Sequence, residues 1–167
     1  GELHITGSVP PYKIVQLVAD KASDLRLDAF LSVSFIRINT AVKNNDAVNK
    51  ALSDQRVRRA LGMVINRQQI AERVLRSGES PAYHYTPPGT GGFISPFRWK
   101  EDIQEARKLM AEAGYPEGKN FPKLEYLFNT SETSLLAAQA FQEMWRQTLG
   151  IEVELKNLDW KVYLSAL

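Results

Sequence analysis

The 167-residue sequence contains no cysteine and only two histidines, His4 and His84. Without cysteine there is no disulfide and no thiolate metal site, a composition that suits an exported protein and a cytosolic one equally. The two histidines lie far apart and neither belongs to a carboxylate–histidine pattern, which argues against a metal site. A Gly-x-Ser-x-Gly elbow, a cysteine nucleophile and a His-Glu-x-x-His pair are all missing, so no catalytic residue is nominated and an enzyme is not expected. An excess of charge of either sign is also lacking. The 21 basic and 19 acidic residues leave a net +2, which makes no case for nucleic acid or a membrane as the main partner. No apolar run approaches the ~20 residues that span a bilayer, and no signal peptide opens the chain. Gly1 to Thr6 starts as if in mid-strand and Leu167 falls inside an apparent helix, so a piece of a longer protein is expected. No linker or repeat divides it, and residues 1–167 are expected to form a single domain.

What is present is ordinary globular material, 44% hydrophobic and 24% charged, organised around the stretch from Ser53 to Gly92. Ser53-Asp54 offers a cap, and Val57, Ala60, Leu61, Val64 and Ile65 fall on one helical face. Arg56, Arg58 and Arg59 lie mostly off that face, as solvated charge or helix-to-helix packing rather than a nucleic-acid patch. A second short helix carries Ile70 and Val74, with Gly78 and Pro81 as its stop. Then Tyr83 to Gly92 forms an aromatic loop whose last six residues hold two prolines and three glycines. It lacks the Lys-Ser/Thr of a phosphate loop, and its prolines remove amides that a phosphate would need.

On either side, patterning alternates between periods of 2 and 3.6. Glu2–Thr6 reads as a short strand, Tyr12–Ala19 as a helix started by Pro10-Pro11, and Leu25–Asn39 as the longest strand, with a slip between Val33/Phe35 and Ile36/Ile38. Ala41–Leu52 reads as a polar surface connection. A capping-box pair, Asp102 and Glu105, opens a helix through Ala113. A strand over Leu124–Phe128 follows, then a long helix capped by Ser131 with Leu135, Ala138, Phe141, Met144 and Trp145 inward. Gly150 stops it, Ile151, Val153 and Leu155 alternate as a half-buried strand, and Asp159 starts a last helix. Interleaved strands and helices predict an α/β (α+β) domain, helices packed on a mixed sheet.

Several of these segments, in this order, carry a family resemblance. Asp54-x-Arg56-Val57-Arg58-x-Ala60-Leu61, Asn66-Arg67, Pro81-Ala82 and Thr86-Pro87-Pro88-Gly89 form its centre. Gly1-Glu2, Thr6-Gly7-Ser8-x-Pro10-Pro11 and Phe35-Ile36-x-Ile38-Asn39-Thr40 precede it, and Phe128-Asn129-Thr130-Ser131, Gly150-Ile151 and Asp159-Trp160-x-x-Tyr163-Leu164 follow. Together they resemble the extracytoplasmic solute-binding proteins of oligopeptide and dipeptide ABC transporters, family 5, and within these the second lobe, lobe II of a type II periplasmic-binding-protein-like fold.

The resemblance implies a two-lobed receptor at the periplasmic or extracellular face of the cytoplasmic membrane, lipid-anchored in some settings. It closes over a peptide ligand and hands it to ABC permease subunits. It implies a monomer, no nucleic-acid partner and no cofactor. It places Gly7, Ser8, Phe35, Asn129 and Trp160 at the cleft. On the residues alone, Trp160 reads more readily as core than as a ligand contact, and Asn129-Thr130-Ser131 as a helix cap rather than a glycosylation acceptor. Two departures stand out. Gly7-Ser8 replaces the Tyr-Asn pair some oligopeptide binders carry, and the acidic residue that fixes a peptide's amino group would fall after Leu167. Dipeptides, a nickel chelate or a sugar as ligand, and a ligand-sensing domain of a transcription regulator, are the alternatives.

Overall fold

In the computed structural model, residues 9–28 and 31–166 are described. The expected strand over Glu2–Thr6 and the turn at Gly7-Ser8 lie outside them. Helix α1 (Pro11–Ala19) begins on its own proline, whose fixed φ suits a first turn. Ile14 is buried, while Val18, expected inward, is exposed.

Two sequence readings fail in the next segment. Leu25 to Asn39 forms no strand among its described residues. Its described residues have no regular secondary structure, with Ile36 and Ile38 laid on the core and Phe35 turned outward. Alternation records half-burial of an extended chain, and it says nothing of a hydrogen-bonding neighbour. Ala41–Leu52, taken as a polar connection, contains helix α2 (Asp46–Ser53). The Asn45 side chain caps it by accepting from the Val48 amide at 3.2 Å. Its three inward residues, Val48, Ala51 and Leu52, stand at i, i+3 and i+4 and are all buried.

Helix α3 (Gln55–Met63) follows almost without a break and forms the centre of the core. Asp54 caps it, accepting from the Arg56 amide at 2.8 Å. Arg56 clasps that same carboxylate and also donates to the Glu112 carbonyl at 2.8 Å. Arg58 donates to the Leu52 and Ser53 carbonyls, each at 2.8 Å, which would otherwise be orphaned at the end of α2. These arginines therefore tie helices together. Asn66 caps a single turn, α4 (Arg67–Gln69), which runs into a π-helical segment over Ile70–Leu75. That segment ends at Arg76 in the left-handed region, φ 58°, two residues before the expected glycine stop.

Helix α5 (Ile103–Glu112) starts where the capping box placed it, with Asp102 accepting from the Glu105 amide at 3.0 Å. The amide of Glu105 and the ammonium of Lys100 hold the Asp102 carboxyl below its usual range. Strand β1 (Leu124–Asn129), helix α6 (Glu132–Leu149) and strand β2 (Val153–Leu158) then form a βαβ unit. The strands pair in parallel from Leu124 opposite Val153 to Asn129 opposite Leu158, and this is the one sheet among the described residues. Ser131 caps α6 as expected, although Leu135 faces outward. Helix α7 (Trp160–Ala166) closes the order and packs on β1. The α/β architecture stands, with helices α3, α5 and α6 enclosing a core to which both strands contribute.

Candidate functional site

The carboxyl edge of a parallel pair is where α/β folds leave room for ligands, because each chain turns away there into a helix. Here β1 ends at Asn129 and β2 at Leu158, opposite one another. A short polar network follows both ends. The Thr130 amide donates to the Leu158 carbonyl at 2.9 Å, and the Thr130 hydroxyl to Asn157 Oδ1 at 2.5 Å. The Ser134 hydroxyl donates to Asn129 Oδ1 at 3.1 Å, and the Ser131 hydroxyl to that of Ser134 at 2.7 Å. Asn129 thus has its side-chain oxygen occupied by the Ser134 hydroxyl. The reading of this tripeptide as a cap after a strand is met at Ser131.

Trp160 begins α7 directly after β2. Asp159 Oδ1 accepts from the Lys161 amide at 3.1 Å, which turns the chain and starts the helix. The indole is 56% exposed and stacks on Tyr163, one helical turn along, with centroids 6.0 Å apart. The plain-core reading of Trp160 is therefore wrong for this chain, since a core tryptophan such as Trp145 is 5% exposed. Behind the edge stands a packed aromatic cluster of Tyr126, Phe128, Phe141 and Trp145. Burial, and secondarily the nearby Tyr163 phenol, pushes the Tyr126 phenol up to about 12.

That shift has a consequence at high pH. The folded state favours the neutral phenol, so the folded chain holds a proton that the unfolded one has lost between pH ~10 and about 12. The contribution is intact below pH ~10 and drains away as pH rises, by up to about 3 kcal/mol. In Tyr126→Phe, the fall of urea-unfolding free energy over that window is expected to flatten. An unchanged slope would refute the assignment.

The remaining expected positions divide. Phe35 is 55% exposed and has its ring contact with Tyr85, centroids 5.3 Å apart, on the proline-rich loop. Gly7 and Ser8 lie outside the described residues. The structure thus brings Asn129 and Trp160 to one strand edge and gives Phe35 an aromatic partner. Tyr85, Tyr163 and Ser134 were not singled out from sequence as site residues. The i, i+3 spacing of Trp160 and Tyr163 was the available signal for one of them, and Tyr85 had none beyond its aromatic neighbours.

Among the described residues, no group of three or more histidine, cysteine or acidic side chains is placed to hold a metal. The Pro87–Gly92 loop spends its polar groups on itself. The Thr90 hydroxyl and the Gly92 amide donate to the Pro87 and Gly89 carbonyls, and the Phe93 amide to that of Thr90. No helix among the described residues is long and apolar enough to cross a membrane.

Known proteins resemble this chain in sequence and in fold. The murein peptide-binding protein MppA of Escherichia coli, a periplasmic protein, is 36% identical over 172 residues that cover 99% of this chain. The periplasmic oligopeptide-binding protein OppA of Salmonella typhimurium is 34% identical over the same share. The solved structure of the Escherichia coli murein tripeptide-binding protein MppA superposes with a TM-score of 0.79 at 36% identity, over 95% of this chain and 31% of that one. The chain spans about 30% of the length of these curated relatives. The family model described as bacterial extracellular solute-binding proteins, family 5 Middle, matches residues 1–167. The chain belongs to that family, whose members are solute-binding proteins.

Proposed function

We propose that this chain is one lobe, a single domain over residues 1–167, of an extracytoplasmic receptor that binds oligopeptides between two lobes and delivers them to an ABC permease. The observation that carries the reading is the exposed Trp160–Tyr163 stack beside Asn129 at the carboxyl edge of the parallel pair, in a chain of this family. An exposed indole on a rigid helix offers a flat apolar face to ligand side chains without selecting a sequence. The Asn129 amide can reach a backbone carbonyl or a polar side chain. Phe35 with Tyr85, and the backbone at Gly7-Ser8, are proposed as further cleft contacts. The receptor acts as a monomer outside the cytoplasmic membrane, without enzymatic activity, cofactor or nucleic acid.

The test uses the full-length protein that carries this chain, purified gently and examined by native mass spectrometry. A ladder of short mixed peptides is expected. One small discrete species would retain the family and replace the ligand, and an empty protein that binds DNA would overturn the reading. For a peptide from that ladder, Trp160→Ala is expected to raise Kd about 10- to 100-fold. An unchanged Kd removes Trp160 from the site. The 167-residue chain alone is expected to fold yet bind the same peptide more weakly than micromolar, since it offers one wall of the cleft and no enclosure.

A further inference from the structure

The first turn of α6 holds a hydroxyl that its capping does not need. Ser131 caps the helix by accepting from the Ser134 amide at 3.0 Å, a bond that any residue but proline would supply at position 134. The Ser134 side chain has a different engagement. The Ser131 hydroxyl donates to Ser134 Oγ at 2.7 Å, and the Ser134 hydroxyl donates to Asn129 Oδ1 at 3.1 Å. These bonds form a relay with one direction. Ser131 has a single hydroxyl proton, and Ser134 Oγ is a nearer acceptor for it than Thr133 Oγ1 at 3.3 Å. Ser134 must then pass its own proton on, and the Asn129 atom that meets it has to be an acceptor. An asparagine amide can turn over and exchange its oxygen with its nitrogen. Turned over here, it would set an N–H group against the Ser134 proton.

What the amide has left to offer is its nitrogen. Asn129 is half-buried at the end of β1, and Nδ2 makes no hydrogen bond among the described residues. Nor is it one of the buried side-chain atoms left without a partner there, which are His84 Nδ1 and Trp99 Nε1. Its two N–H donors are therefore open to solvent. We infer that Ser134 is a positioning residue that keeps the Asn129 carboxamide a donor to the ligand. This point of the cleft then selects a hydrogen-bond acceptor, a carbonyl or carboxylate oxygen of the peptide, over an ammonium or another donor. The inference rests on the place of Asn129 in the cleft proposed above. Ser134 itself acts through Asn129 and needs no contact with the ligand.

Two readouts on the full-length protein keep the bond and the site apart. The first needs no ligand. With 15N-asparagine labelling, the Asn129 side-chain signal is identified by its loss in Asn129→Asp. Its N–H order parameter is expected to drop below about 0.6 in Ser134→Ala and to keep the wild-type value in Ser134→Thr, which restores the hydroxyl. An unchanged value in Ser134→Ala overturns the inference, whatever the protein binds. The second readout is Kd for one synthetic peptide chosen from those identified by native mass spectrometry. Asn129→Ala is expected to raise it about 3- to 10-fold, and Asn129→Asp no less, because aspartate keeps an acceptor for Ser134 and offers the ligand no donor. Ser134→Ala should raise Kd about threefold alone and add nothing in the Asn129→Ala background, and Ser134→Thr should restore it. An equal rise in both backgrounds would mean that Ser134 only supports the fold, and would overturn the inference. If the Asn129 variants leave Kd unchanged while the order parameter falls, the bond stands, and both the acceptor preference and the place of Asn129 in the cleft are overturned. A full-length protein that takes no peptide overturns the function proposed above and the preference with it, and the order parameter still decides the bond.

Discussion

Replacing Trp145 with alanine is expected to lower the unfolding free energy by about 3–5 kcal/mol. The side chain is buried between Tyr126 and Phe141, and its indole nitrogen donates to the Leu61 carbonyl at 2.9 Å. That carbonyl belongs to the last turn of α3, where helical partners run out. The indole is thus a bolt between the two helices that carry most of the core. Alanine removes the ring, leaves a cavity in a closely packed region and strands a buried acceptor. Trp145→Phe separates the effects. It keeps most of the apolar volume and loses the hydrogen bond, so about 1–3 kcal/mol is expected. Urea unfolding followed by circular dichroism measures both. A loss under 1 kcal/mol for alanine, or equal losses for the two variants, would mean that the bolt does not hold α3 to α6.

Trp145 also marks where the sequence was legible. Its helical face and the position of α6 followed from spacing and from the Ser131 and Gly150 signals, which act through local geometry alone. The Asp102–Glu105 box and the Asp54 cap were readable for the same reason. The indole's partner, 84 residues away, was not, because no local pattern encodes a contact across the fold. Leu25–Asn39 failed for a related reason. An extended segment half-buried on helices and a strand half-buried in a sheet have the same period, and they differ only in whether another chain presents its amides. Helix α2 failed in the opposite direction. Three buried residues among eight are enough to dock a short helix, and the polar remainder masked them.

The site was legible in part, and for physical reasons that differ by residue. Asn129 ends the first strand and Trp160 follows close on the second, so their shared edge was implicit once the strands were parallel neighbours. That the indole would be exposed could not be read from local pattern, since a tryptophan at a helix start is often core. Phe35 was placed on a strand that does not form, yet it is exposed against Tyr85.

Gly118→Ala is expected to cost about 3–5 kcal/mol, far more than an alanine at a surface turn ordinarily does. Gly118 has φ +74°, and a Cβ there would lie 2.7 Å from the Leu149 carbonyl oxygen, with the Gly150 backbone nearer still. Both obstacles are main chain and cannot swing aside. Gly150 is the C-cap of α6 in the left-handed region at φ 69°, and a Cβ on it would meet the Glu117 carbonyl in return. Two turns, the one following α5 and the one joining α6 to β2, therefore touch through their backbones. Gly114→Ala supplies the control, because φ is +94° there and nothing lies within 4 Å of the added methyl. Its cost should be the conformational share alone, about 1–2 kcal/mol. If the two variants unfold at the same urea concentration, the turn–turn contact contributes nothing. If they differ, Gly118→Ala combined with Gly150→Ala should cost less than the sum of the singles. Once one methyl has pushed the turns apart, the second meets open space and adds only its backbone term.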